Sequence, residues 1–339
     1  MPLNAHIAKR IWGPQSLKQV FTWNPAAEMD TWEEVALIPS RVVKNYWQHG
    51  ATISVDLTVA GYLQPQDPGN PDAGDDCYVV ADLVDSSVNA GGLNYDDVTH
   101  RGFYTHAVDV QMGFSVDTDG TQAYSVEQDT PLSSPATGSA GSGSNESVGF
   151  FGDQLTASAG TSSSQSRTYQ DFEVTNNTTH GAGKEWVKHH LQLRVTDGGG
   201  GYSTPWTLRK DKTNEAYGIV PRAAANNPLT SAASFLAQTK AKVRPPAARL
   251  HVQIGHTVVI TVWDSLDSAP ARDLGLCNTW VDADGSTTKD DAAFDASGAG
   301  GVQCIDGWFG IGWWKAAAVV AEQQWAAMVD WQKGTVYWA

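Results

Sequence analysis

Basic residues are scarce in this chain: 22 Lys and Arg stand against 37 Asp and Glu, for a formal net charge of −15 and a sequence pI near 4.8. A phosphate backbone is gripped by a basic face, so this balance argues against a nucleic-acid partner. Long apolar runs are missing too. A transmembrane helix needs about 18–20 continuous apolar residues, and the best run here, residues 316–321, is far shorter. The first residues, Met1-Pro2-Leu3-Asn4-Ala5-His6, show no basic stretch followed by an apolar one, so no signal peptide is expected in them. Cysteine is confined to Cys77, Cys277 and Cys304, enough for one disulfide and one leftover thiol. Cys277 and Cys304 bracket a Gly/Asp-rich loop and are the favoured pair, whose closure contributes about 3–4 kcal/mol in the chain-entropy model. Three reduced, buried thiols are the alternative.

The motifs of common enzyme classes are also absent. There is no G-x-S-x-G, no H-E-x-x-H, no G-x-G-x-x-G behind a strand and no C-x-x-C. The expectation is a protein without enzymatic activity, cofactor or metal. His189 and His190 are adjacent on an expected strand, so their rings point to opposite faces and cannot share one metal. Asp117-Thr-Asp119-Gly120 and Asp282-Ala-Asp284-Gly285 lack the full calcium-loop spacing and read as Asp-Gly turns.

Period-two alternation is what the chain does have. Ile53, Val55, Leu57 and Val59 alternate with Ser54, Asp56 and Thr58, and Val108, Val110, Met112, Phe114 and Val116 alternate with polar or small partners. Leu191, Leu193 and Val195 repeat the pattern ahead of a DGGGG turn at 197–201, residues 77–84 read as another strand, and residues 250–263 read as a long strand or a pair. Residues 64–76 are a Pro/Gly/Asp loop, and 229–240 offers a short helix. Several alternating strands without helical crossovers point to an all-β protein built as a β-sandwich. At 339 residues the chain exceeds the usual single-core size of about 250–300 residues, so one elongated molecule with satellite subdomains, or two domains, is expected.

Residues 121–172 break this pattern. Between 133 and 166, 17 of 34 residues are Gly or Ser, and no Lys or Arg occurs between Arg101 and Arg167. Connections in compact domains run to about 4–6 residues, so a segment this long is either a linker or an element that refolds. Its second half holds Val148-Gly149-Phe150-Phe151 and then Leu155, Ala157 and Ala159 alternating with Thr156, Ser158 and Gly160. That is a faint version of a membrane β-barrel strand, which needs only about 9–11 residues to cross.

Three stretches resemble the leukocidin/α-hemolysin family of small β-barrel pore-forming toxins. Glu146-Ser-Val-Gly-Phe-Phe-Gly152 followed by Tyr169-Gln-Asp-Phe172 is similar to the family's stem hairpin, with its Gly-rich tip, Gly/Ser-rich strand and aromatic exit. His256-Thr-Val-Val-Ile-Thr-Val-Trp-Asp264 is similar to a cap strand, and Met328-Val-Asp-Trp331 to the closing strand. The matches fall in the family's order and together cover residues 120–339. Pro131 and Pro135 depart from the pattern, since neither can donate to a first stem strand, and residues 277–324 fit it poorly. In that poorly fitting part, the aromatic cluster at 308–314 reads either as a membrane-interface group or as core packing beside a short helix at 316–321.

The resemblance implies a secreted protein that acts on a target-cell membrane through a homo-oligomeric ring of about seven or eight copies. It implies a β-sandwich cap (51–120, 173–197, 241–276, 325–339), a stem (121–172) that forms a transmembrane β-barrel, and a rim (198–240). Residues 1–50 would be an arm or latch, and 277–324 an added loop segment. Stem strands over 125–144 and 148–169 would each extend about 66 Å before tilting. The stem tip and barrel would use Glu127, Asp129, Glu146, Val148, Phe150, Phe151, Asp153 and Leu155. The rim would use Trp206, Tyr202 and Arg222, an aromatic face beside a guanidinium that suits phosphocholine head groups. The competing expectation is an extracellular β-sandwich binding module, lectin-like or from an appendage, with a flexible Gly/Ser insertion.

Overall fold

A computed structural model describes residues 3, 7–35, 38–70, 72–83, 85–91, 102–114, 124–133, 147–151, 154–158, 172–180, 186–193, 195–196, 202–203, 227–229, 231–239, 243–266, 280–282, 287–288, 301–307 and 310–339. These residues form strands and turns. In chain order the strands are β1 (Lys9–Trp23), β2 (Ala26–Val35), β3 (Ile38–Gln48), β4 (Ala51–Pro65), β5 (Asp75–Asp82), β6 (Ser86–Asn89), β7 (Gly102–Phe114) and β8 (Ser125–Thr130). There follow β9 (Ser147–Phe151), β10 (Gln154–Ser158), β11 (Phe172–Asn176), β12 (Trp186–Leu193), β13 (Val195–Thr196), β14 (Tyr202–Ser203), β15 (Asn227–Leu229) and β16 (Ala232–Thr239). The last are β17 (Ala248–Leu266), β18 (Trp280–Asp282), β19 (Thr287–Thr288), β20 (Gly301–Gly307), β21 (Gly310–Asp330) and β22 (Thr335–Trp338).

Two large sheets hold most of the described strands. The first runs β15-β6-β4-β5-β16-β8 with β1 paired to β4; the second runs β11-β12-β7-β17-β21-β20-β18-β19 with β22 paired to β21. The alternation in the sequence decides which faces meet. Ile53, Val55, Leu57 and Val59 of β4 and Val79 and Phe235 of the first sheet are buried against Val108, Val110, Met112, Leu191, Val252, Ile254 and Val329 of the second. Each such side chain contributes about 1.5–3 kcal/mol by leaving water, so the sandwich interface dominates the fold.

An aromatic column runs through this interface. Trp12 meets Trp331 edge-to-face at 5.4 Å, the Trp331 indole donates to the Tyr124 hydroxyl at 2.9 Å, and Tyr124 stacks on Phe114 at 4.0 Å. The column ties the N-terminal strand and the turn after β21 to the residue that precedes β8.

The first sheet has a second apolar face. Ala60, Tyr62, Tyr78, Val80 and Leu236 are buried together with Leu3 on the side away from the sandwich interface. The backbone of β9 runs beside β5, β8 and β16, so the small-residue segment sends one strand to this outer side.

Several expectations change. The helix expected at 229–240 is β15 and β16: Phe235 pairs with Val79 on one side and Val126 on the other, so two open ladders override an Ala/Leu helix propensity. These residues therefore belong to the first sheet. The helix considered at 316–321 is part of β21, which pairs with β17 from Ala248↔Val329 to Leu266↔Ile311. That single strand also crosses the boundary drawn at 324/325. β2 and β3 form a hairpin near β17 and β21, so most of the N-terminal arm is strand.

Candidate functional site

The described residues bring chemistry together at one place, where β8 leaves the first sheet and β11 enters the second. β8 ends at Thr130, whose peptide bond to Pro131 is cis. One residue earlier, the alternation of β8 turns Asp129 inward, where its carboxylate is buried. Its Oδ2 accepts from Asn176 Nδ2 at 2.8 Å and Thr178 Oγ1 at 2.8 Å, and lies 2.6 Å from His189 Nε2. Oδ1 lies 2.9 Å from His180 Nε2, an ion-pair distance without hydrogen-bond alignment. Asn176 also donates from Nδ2 to the Pro131 carbonyl at 3.0 Å and from its backbone N to Ser133 Oγ at 2.8 Å. Burial alone would raise the Asp129 carboxyl. The hydrogen bonds from His189, Thr178 and Asn176, with the charge of His189, outweigh it and hold the group below the usual carboxylate range.

His189 continues the chain of contacts to Ser231, with Nδ1 and Oγ 3.0 Å apart. The order Asp, His, Ser invites comparison with a nucleophile relay. Here Ser231 is only 2% exposed, so the array joins β8, β12 and the start of β16 and presents no hydroxyl to solvent. Its effect is mechanical: Asp129 and Pro131 on one side of the small-residue segment and Asn176 and Thr178 on the other are held together at one clamp.

Between the two halves of the clamp in the sequence lies a hairpin. β9 and β10 pair antiparallel with Phe151↔Gln154, Phe150↔Leu155, Gly149↔Thr156, Val148↔Ala157 and Ser147↔Ser158. The chain therefore reverses between Phe151 and Gln154. Of the stem strand expected over 148–169, residues 148–151 and 154–158 lie in the two strands of this hairpin.

The remaining sequence-predicted site residues are scattered. Glu127 is half-buried in β8, where Ser125 Oγ donates to its Oε1 at 3.2 Å. Val148, Phe150, Phe151 and Leu155 belong to the hairpin. Tyr202 pairs with Thr196 across the expected turn at 197–201. Cys304 stands opposite Trp313 on β20. Glu146, Asp153, Trp206, Arg222 and Cys277 lie outside the described residues. Cys77 is free and buried, its thiol pushed up by burial. Sequence reasoning missed Asn176, Thr178, His180 and Ser231. The adjacent pair His189-His190 was the one visible signal: His189 is buried on Asp129, while His190 faces Asp109 at 2.8 Å in a half-exposed pair.

No family model matches this chain, and no curated protein matches it in sequence. Solved structures similar to it include one described as a pore forming protein, at 8% identity over 98% of this chain and 99% of that one, with a TM-score of 0.43. Clostridium perfringens delta-toxin is similar at 8% identity over 100% and 99%, with a TM-score of 0.42. The Clostridium perfringens NetB toxin in its membrane-inserted form is similar at 7% identity over 93% and 100%, also at 0.42.

Proposed function

We propose that this chain is a secreted pore-forming toxin, of the cytolysin or hemolysin kind, that assembles on a target membrane and inserts residues 134–171 as its share of a β-barrel. One observation carries the reading: the two ends of a long segment of small residues are joined at the Asp129 clamp, and its strand β9 runs beside β5, β8 and β16 of the first sheet. The order of the three sequence resemblances supports it.

The physics sets the rest of the mechanism. A lone hairpin cannot cross hydrocarbon, because the N–H and C=O groups at its edges would be unpaired, so several protomers must contribute hairpins to a closed barrel. By resemblance the ring holds about seven or eight copies. Small side chains suit the segment to both states, since they permit compact storage and leave little to unpack on release. Docking falls to the rim residues Trp206, Tyr202 and Arg222, with the aromatics on choline and the guanidinium on phosphate. Glu146 and Asp153 supply negative rings that favour cations. Glu127 and Asp129 lie at the collar, where Asp129 serves the clamp.

The test uses vesicles of phosphatidylcholine, sphingomyelin and cholesterol with a trapped dye. Release together with detergent-resistant rings is expected. Intact monomers and retained dye would favour the extracellular binding module.

A further inference from the structure

The strand register of the β9–β10 hairpin agrees with the geometry of the clamp. Asp129 stands 22 positions before Phe151, and Asn176 stands 22 positions after Gln154. These two residues are joined through their side chains at 2.8 Å. A hairpin that reverses between Phe151 and Gln154 therefore has two arms of equal length when it is drawn out from the clamp. At about 3.3 Å per residue each arm reaches about 70 Å before tilting, ample for about 30 Å of hydrocarbon and a collar. A tip placed ahead of Val148 would make the arms unequal and force a slip in the ladder between clamp and tip.

Resting on the pore-forming reading, we propose that the β9–β10 hairpin is the leading tip of the inserted stem and keeps its present register in the pore. The strand period then sorts its residues. Paired residues share a face and successive pairs alternate. Val148, Ala157, Phe150 and Leu155 form one set; Ser147, Ser158, Gly149 and Thr156 form the other. Barrel strands present apolar residues to lipid and polar ones to the lumen. The first set faces the acyl chains and the second lines a neutral stretch of channel. Phe151, opposite Gln154 beside the turn, falls by the same alternation with the second set, at the far mouth of the channel. Storage and insertion then share one ladder. The hairpin moves as a preformed unit, and only the arms behind it are rebuilt.

A cross-strand disulfide tests the register. Val148 and Ala157 face each other in the fourth pair from the turn, so Val148→Cys with Ala157→Cys should oxidise in the monomer, with the bond mapped by mass spectrometry of a non-reduced digest. The cross-linked protein should release dye from phosphatidylcholine, sphingomyelin and cholesterol vesicles at the rate of its reduced form. Release blocked by the cross-link and restored by reductant would overturn the register, as would failure of the bond to form. A second readout is independent of the cross-link: an environment-sensitive fluorophore on Leu155→Cys should shift to the blue in vesicle-bound oligomers, while one on Thr156→Cys should not. The opposite pattern would assign the faces wrongly. Wild-type protein that releases nothing would contradict the pore-forming reading itself and not the register.

Discussion

His189 Nε2 lies 2.6 Å from Asp129 Oδ2, with both side chains buried. The next residue, His190, makes a pair of nearly the same length, 2.8 Å to Asp109, but with both side chains partly exposed to water. Strand alternation puts two similar contacts into opposite dielectrics, and their energetic weights differ accordingly.

Asp129→Ala should destabilise the protein by about 3–5 kcal/mol, because removing one partner of a buried pair leaves the others desolvated and unsatisfied. Asp109→Ala should cost at most about 1 kcal/mol, as exposed pairs do. Urea unfolding of the two variants measures the contrast. Equal losses would mean that the clamp is no stronger than a surface pair.

Stability should fall with acid in two windows. Burial holds His256 down to about 3 from its usual 6.5. Below pH 6.5 the unfolded chain takes a proton that folded His256 refuses, so stability declines from there toward pH 3, by up to about 1.4 kcal/mol per pH unit. Asp129 is also depressed. Its contribution is present above the ordinary carboxylate range and is lost as pH falls through its lower folded value. His256→Gln, which can still meet Thr105 Oγ1, now 3.0 Å from His256 Nε2, should flatten the upper window and leave the lower one. Parallel slopes between pH 6.5 and 4.5 in wild type and variant would contradict this.

Gly61 faces Trp12 across the β1–β4 ladder, and a Cβ there would run into the Trp12 indole. Gly61→Ala should displace the indole from Trp331 and cost about 1–3 kcal/mol by overpacking. Gly69→Ala, in an exposed turn, should change stability by no more than about 0.5 kcal/mol. Near-ultraviolet circular dichroism follows the indole, and denaturation follows the cost.

Val79 and Val80 separate the two faces of the first sheet, Val79 toward the sandwich interface and Val80 outward. Val79→Ser should lower the global unfolding midpoint. Val80→Ser should act chiefly on storage of the hairpin, read as faster proteolysis within residues 134–171 under native conditions, with a smaller drop in midpoint. Unchanged cleavage in Val80→Ser would mean that the outer face does not hold β9.

Much of the two large sheets was legible because half-buried strands write their burial into alternating residues: Ile53 to Val59 and Val108 to Phe114 were read directly. Residues 229–240 and 316–321 were misread because Ala-rich strands paired on both edges lose the alternation that tells strand from helix. The clamp was hidden for another reason. Asp129, Asn176, His189 and Ser231 are spread over about a hundred positions and meet only through the folding of both sheets. A two-residue turn within the small-residue segment was available as Gly152-Asp153, but the longer Gly/Ser run ahead of it drew the expected tip to residues 145–147.

Planar lipid bilayers exposed to the purified protein measure directly whether this chain makes a hole in a membrane. The account predicts discrete, uniform upward conductance steps of long duration, with reversal potentials in asymmetric KCl that indicate cation preference. A silent bilayer, with the protein bound or recovered as intact monomer, would contradict it.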